Sequence, residues 1–386
     1  MFNRSVLFNH LFSLIVLFPV LFSFVFRITG LPIPSYLFVI IVSLMVIPFI
    51  ANNLLTVSRS YLKLAIYVFF LWVLGSILYT PSVIASKEKF IAIIYNTILP
   101  MILVELFFLF SKSKQIDMSS FNPNLLKYAH LLLWFCFIAY ILFRQPDESG
   151  RFSLPGVENA IWFSRFVGML LLIILCCTRV RQHNLSLYLT SVVIALLLMF
   201  GGGSRGPLLA VIIVFFIKQS YSISKKKLLL LIIGIISMIS LGFIFIGGYL
   251  FETDFYSIYA RFDLFKAFSD YNFQYMKGSG IGSYAMSFFG EDIVYYPHNV
   301  FLELFFENGL IGVVLFCSVL VLFFRSFKPN IVFLLAVYYL LASLVSGDIP
   351  GNNNLFIMLF ISAYACGEPS IIEQHNSDNI LNLKNG

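Results

Sequence analysis

Charge is what this chain has least of. Its 386 residues include 25 basic and 18 acidic side chains, 11% in all, less than half the share found in soluble domains. That scarcity excludes a large water-covered surface, and with it a soluble enzyme. Histidine is equally thin: five residues, scattered, with no HExxH and no carboxylate cluster, so no protein-built metal cage is expected. Cys136, Cys176, Cys177, Cys317 and Cys366 sit in or beside apolar runs without CxxC spacing, which argues against a zinc site or a disulfide framework. The period-two alternation of an outer-membrane barrel is missing, and there is no internal repeat. Nor is there a concentrated basic patch. The net charge of +7 is dispersed between apolar stretches, which speaks against nucleic acid as a partner and for a topological role.

What the chain has instead is apolar length, with 60% hydrophobic residues arranged in continuous runs. At about 20 residues per membrane crossing, these allow roughly a dozen spans. The runs fall near 5–26, 34–51, 61–80, 90–110, 125–143, 160–178, 185–200, 207–218, 228–249, 299–324, 331–346 and 354–367. The expected fold is therefore all-α and polytopic, with residues 1–368 as the membrane domain and 369–386 as a disordered cytoplasmic tail. With the N-terminus inside, fifteen of the 25 basic residues fall on the inner side, as the positive-inside bias requires. Both termini are then cytoplasmic. The one long connection, about 250–298, lies outside; it carries an amphipathic stretch at 259–268, read as an interfacial helix, and a Gly278-x-Gly280-x-Gly282 turn region.

The polar residues that interrupt apolar runs on the outer side are the candidates for chemistry. Arg205 lies in Gly201-Gly202-Gly203-Ser204-Arg205-Gly206-Pro207, where glycines let backbone N–H groups face an anion; a tight turn with Arg205 reaching headgroups is the plainer alternative. Arg261 stands on the interfacial stretch, and Arg151 and Arg165 flank the start of the sixth span. His298, in Tyr295-Tyr296-Pro297-His298-Asn299, is placed where the outer loop re-enters the membrane, and its ordinary pKa suits a general base. Asn299, Glu303 and Glu307 recur every four residues on one helical face, turned to the protein interior or an aqueous cavity and not to lipid, and suited to ion pairing with the arginines or to lining a proton path. Glu105 is a membrane acid with no evident assignment.

Taken in order, Ser204-Arg205-Gly206 after an apolar span, the outer loop with Arg261 and its alternating glycines, and Pro297-His298-Asn299-x-x-Leu302-x-x-x-x-Glu307-x-Gly309-Leu310-x-Gly312 resemble the O-antigen ligase and polymerase superfamily. The resemblance covers about residues 150–330. It implies a metal-independent inverting glycosyltransferase of the bacterial inner membrane, needing no cofactor and working at the periplasmic face on an undecaprenyl-diphosphate-linked glycan. Arg205 and Arg261 then match the arginines that hold the diphosphate, with Ser204, Arg151, Arg165 and Asn299 around them. His298 matches the base acting on the acceptor, supported by Glu303, Glu307, Gly280 and Gly282. Polymerase and ligase activities share these motifs; the stretches around Arg165 and Ser346-Gly347-Asp348 lean toward a polymerase, for which a chain-length regulator is a conceivable partner. A lipid-glycan flippase using Glu105, Glu303 and Glu307 is the reading from another class.

Overall fold

The computed structural model describes residues 13, 17, 60–111, 118–146, 152–153, 160–177, 185–202, 205–220, 276–325, 330–344 and 347–365. Apart from residues 13 and 17, the expected spans at 5–26 and 34–51 lie outside these. So do the span at 228–249, the stretch at 259–268, and Arg151, Ser204, Arg261 and the tail.

The described chain is helical, as its apolar runs demand: in hydrocarbon a backbone must satisfy its own hydrogen bonds, and a helix does so within one segment. Helix α1 (Tyr61–Gly75) ends in a 3₁₀ turn (Ser76–Tyr79). Helix α2 (Ile84–Ile93) passes through a π-helical turn (Ile94–Ile98) into α3 (Leu99–Ser111). Then follow α4 (Met118–Phe143), α5 (Ala160–Cys177), α6 (Leu185–Gly201) and α7 (Arg205–Ser220). After the undescribed stretch come a short α8 (Tyr284–Phe289), α9 (Val300–Arg325), α10 (Ile331–Ser343) and α11 (Asn353–Ala365). One two-residue β pair, Gln145–Pro146 with Phe152–Ser153, closes the loop after α4.

Among the described residues four helices are long and apolar enough to cross a bilayer: Tyr61–Tyr79, Ile84–Leu106, Phe121–Phe143 and Val300–Arg325. The other apolar helices among the described residues are shorter, 10–17 residues, so these residues do not by themselves give the twelve full spans expected. Burial sorts them into layers. Residues 331–337 of α10 and 355–361 of α11 are buried on every face, whereas Leu71, Leu131 and Phe200 on α1, α4 and α6 are more than half exposed. The inner helices have protein on all sides; the outer ones present the apolar face that lipid would cover. Rings of α1, α9 and α11 interlock around Phe69, Phe316 and Phe356, with centroids 5.5–5.8 Å apart.

Helix α9 is not continuous, although its sequence reads as one span. Gly309 has φ 65°, ψ −168°, a combination only glycine adopts readily. The break leaves carbonyls without helical partners, and a segment from the outer loop supplies them. Ser279 N–H donates to the Phe306 carbonyl (2.9 Å) and Gly280 N–H to that of Glu307 (2.8 Å). Trp72 Nε1 donates to the Asn308 carbonyl (3.0 Å), and the Met276 carbonyl accepts from Ile311 N–H (3.2 Å). On its other side the same segment is held by the end of α1: Ser76 Oγ accepts from Ile281 N–H (3.0 Å), and Thr80 Oγ1 donates to the Ile281 carbonyl (2.9 Å). The approach leaves no room for side chains. A Cβ on Gly309 would lie 2.3 Å from the Met276 carbonyl oxygen, and one on Gly278 2.5 Å from the Gly309 nitrogen.

Gly309→Ala is therefore expected to cost at least about 1–3 kcal/mol from backbone strain alone. Thermal unfolding of the purified protein in detergent checks this, with Gly290→Ala, where a Cβ meets nothing within 4 Å, as the milder comparison.

Candidate functional site

The inserted loop and the head of α9 bring the outer-side polar residues together. Lys89, in the second turn of α2, extends between Glu303 and Glu307. Its Nζ lies 2.6 Å from Glu303 Oε1 and 2.7 Å from Glu307 Oε1, with all three side chains essentially inaccessible. The four-residue spacing of the two acids puts both carboxyl groups on one face, so a single ammonium can bridge them. Glu303 Oε2 also accepts from Ile349 N–H (2.8 Å), which ties in the turn before α11. The ion pairing expected of these acids is thus real, but the partner is a lysine and not an arginine. Sequence reading missed Lys89; its signal was the charged triplet Lys87-Glu88-Lys89 inside an apolar run.

Arg165 lies one layer away, 3% exposed. Its Nη1 donates to Asn352 Oδ1 (2.9 Å), its Nη2 to the Ala342 carbonyl (2.5 Å), and its guanidinium stacks on Trp162 at 4.8 Å. Tyr338 donates to the Arg165 carbonyl (2.9 Å). Through these bonds Arg165 holds α5 to the end of α10 and to the 347–352 turn. Asn299 likewise has both polar ends on protein. Its Oδ1 caps α9 by accepting from Phe301 N–H (2.9 Å) and Leu302 N–H (3.2 Å), and its Nδ2 donates to the Leu344 carbonyl (2.9 Å).

His298, next to that cap, is the one non-glycine residue with positive φ (56°) among the described residues. Such strain in a polar residue recurs where the surrounding structure over-determines a side chain. Its ring stands edge-on to Tyr296 at 4.8 Å and Tyr295 at 6.4 Å. Burial, and then the negative charges of Asp348 and Glu303, push the Tyr296 phenol above its ordinary value, while Arg165 and Lys89 oppose them. Tyr296 is thus in ring contact with His298 and within electrostatic reach of the ionic centre.

Asp292 anchors the loop from the other side. Its carboxylate accepts from the N–H groups of Ala85 (3.0 Å), Ile84 (2.9 Å) and Val83 (3.0 Å) and from the Ser82 hydroxyl. This caps α2 with a residue more than 200 positions away. Negative charge at a helix N-terminus is favourable, and these hydrogen bonds, that of Ala85 foremost, hold its carboxyl well below the usual carboxylate range. Gly280 and Gly282 serve the same loop. A Cβ on either would lie 2.6 Å from the backbone of Thr80 or Ser86.

Arg205 is the first residue of α7; its side chain is outside the described ones. Lys218, in the last turn of α7, donates to the carbonyls of Leu175 (3.3 Å) and Cys176 at the end of α5. The two packed helices thus run parallel, which puts the start of α7 at the Arg165 end of the bundle, the end that also holds Lys89, Glu303 and His298. Glu105, without an assignment in the sequence, pairs at the opposite end. Lys63 Nζ is 3.0 Å from its Oε1, and the Tyr364 hydroxyl donates to it.

Residues 190–317 match the family model described as O-antigen ligase. The match runs from α6 through α7, the outer loop and α8 into the second half of α9, and so includes Arg205, Arg261, His298, Glu303, Glu307 and Gly309. The matched stretch is well under half of the chain; it is similar to the O-antigen ligase family, and the long apolar helices around it are of the kind that cross a membrane. A search of curated proteins finds no match to the chain. Lys89 and Arg165 lie outside the matched residues in sequence, yet Lys89 is paired with Glu303 and Glu307 inside them.

Lys89→Met is expected to destabilise the protein by about 3–5 kcal/mol, the usual effect of breaking a buried ion pair from one side; Lys89→Met with Glu303→Gln recovers part of the loss in thermal unfolding. For Asp292 the folded value lies below that of the free side chain, about 3.9. Its cap contributes at and above that pH and is lost only as pH falls further through the depressed value. Hydrogen exchange at residues 83–86 is accordingly expected to stay slow from neutral to mildly acid pH, and to be fast throughout that range in Asp292→Ala.

Proposed function

We propose that the protein is a membrane-embedded inverting glycosyltransferase that moves a glycan from undecaprenyl diphosphate to an acceptor hydroxyl at the periplasmic face, most readily as a surface-polysaccharide polymerase. The observation that carries the reading is the order of residues inside the matched domain: a helix opening on Arg205, an outer loop containing Arg261, and His298 held at positive φ at the head of α9. A glycosyl diphosphate brings its own leaving group, so the protein has to bind phosphate charge and deprotonate the incoming hydroxyl. Arginine keeps its charge when desolvated and matches phosphate with a planar fork. The N–H groups at the start of α7 add to the positive field there. In this reading the acceptor oxygen attacks the anomeric carbon, the bond from that carbon to the phosphate oxygen breaks, undecaprenyl diphosphate leaves, and His298 takes the hydroxyl proton. One displacement from the face opposite the leaving group inverts the anomeric centre. Arg261, Ser204 and Arg151 complete the donor side, and Arg165 and Asn299 act by positioning the helices beside it. The site needs no cofactor in this scheme.

The ligase reading, with lipid A-core as acceptor, is favoured by the description of the matching family and uses the same machinery. The transporter reading is less well supported. Glu105 and the Glu303–Glu307 pair are each engaged by a lysine at opposite ends of the bundle, and the break in α9 is filled by the protein's own loop and not by a cavity.

Deletion of the gene, with rescue by wild type, Arg205→Ala or His298→Ala, tests the proposal on a surface-glycan gel and on the carrier-lipid pool. Lipid A bearing a single repeat marks a lost polymerase, and long glycan stranded on the carrier marks a lost ligase. Loss of the base is expected to slow transfer about 10²–10⁴-fold in purified protein. Undiminished transfer by the double variant overturns the assignment.

A further inference from the structure

The ionic centre at the outer end holds more negative than positive charge. Lys89 lies within electrostatic reach of Glu303, Glu307 and Asp348, and Arg165 of Asp348 and Tyr296, whose ring meets that of His298. All are on described elements: α2, α5, α9, the turn before α11, and the strand of loop leading to His298. Among the described residues one carboxyl group is therefore left without a counter-charge in a region where Lys89, Glu303 and Glu307 are all at most 2% exposed. Two carboxylates sharing one ammonium inside a low-dielectric region do not both keep their charge cheaply, and the usual resolution is a retained proton.

Hydrogen bonding says which acid keeps it. Glu303 uses both oxygens as acceptors, Oε1 for Lys89 and Oε2 for Ile349 N–H, as a carboxylate does. Glu307 gives Oε1 to Lys89, while its buried Oε2 has no well-formed hydrogen-bond partner; the Gly282 backbone N–H beside the carboxyl group is an influence in favour of its charge, weaker than the burial that opposes it. An oxygen that accepts no well-formed bond is where a proton resides at least cost. The geometry points to Glu307 as a proton-binding site: in the resting protein it is a neutral carboxylic acid, protonated on Oε2, beside a Lys89–Glu303 ion pair.

The consequence reaches the loop above. The Glu307 main-chain carbonyl receives Gly280 N–H, so ionising this side chain sets uncompensated negative charge under the segment that leads to His298. Alkaline pH would then loosen that segment, and would place the surplus charge at the end of the bundle where the diphosphate is proposed to bind.

Infrared difference spectra of the purified full-length protein test this without reading sugar transfer, so the inference and the proposed glycosyl transfer can fail separately. At neutral pH, wild type minus Glu307→Gln is expected to show loss of a carboxylic-acid C=O band with no loss in the carboxylate region. Loss of a carboxylate band with Glu307→Gln overturns the proposal. Should that variant not fold, Glu307→Asp keeps the acid and shifts its band, giving a derivative-shaped acid feature in the same subtraction; a feature in the carboxylate region alone overturns the proposal.

Discussion

A backbone inside an apolar bundle must have every N–H and C=O satisfied by protein, and the outer end of this molecule is organised by how it meets that demand at Gly309. The helix stops for one residue, and the carbonyls it releases are taken up by Ser279, Gly280 and Trp72. A loop that would otherwise lie loosely over the membrane surface becomes a structural member of α9. Everything that carries chemistry nearby is referenced to that junction. Glu303 and Glu307 lie on the half-helix before it, His298 and Asn299 at its head, and the glycine segment inside it.

Two further ties make the junction rigid from opposite directions. Lys89 binds the half-helix to α2 from within the bundle, and Asp292 binds the returning loop to the start of the same α2 from outside. A single helix start is therefore held both by a buried ammonium on its first turns and by a carboxylate across its N–H groups. Arg165 does the equivalent work one layer away, where Trp162, Asn352 and the Ala342 carbonyl fix the turn that presents Ile349 to Glu303. The His298 side of the site rests on these contacts, each made by residues far apart in the chain.

Much of the architecture was legible in the sequence because hydrocarbon imposes a simple rule on apolar runs: the helices at 61–80, 125–143 and 331–346 fall close to where hydropathy puts them. The alternating glycines at 278–282 could be recognised as special, and the structure gives the reason, a close approach to Gly309 and to Thr80 and Ser86. What could not be read was partnership. Glu303 and Glu307 announced a buried counter-charge through their spacing, but nothing in a linear sequence names Lys89, over 200 positions away, over the nearer arginines. The break in α9 was hidden for a related reason. Gly309 costs little in a hydropathy pattern, and its meaning depends on a loop from elsewhere filling the gap. Glu105 was opaque until Lys63 and Tyr364 stood beside it.

The π-helical turn at Ile94–Ile98 acquires a use from those two ionic centres. Lys89 and Glu105 stand on one rod, sixteen residues apart, a rise of about 24 Å that approaches the thickness of a bilayer's hydrocarbon. In an unbroken α-helix, at about 100° per residue, they would point to nearly opposite sides. A π turn winds more slowly and takes up roughly one residue's worth of rotation, swinging the two charges toward a common side of the rod. The turn thus works as a phase corrector, letting one rod answer to a partner at each of its ends. The azimuth of the Lys89 centre is set, in part, by a winding defect buried midway to the Glu105 one.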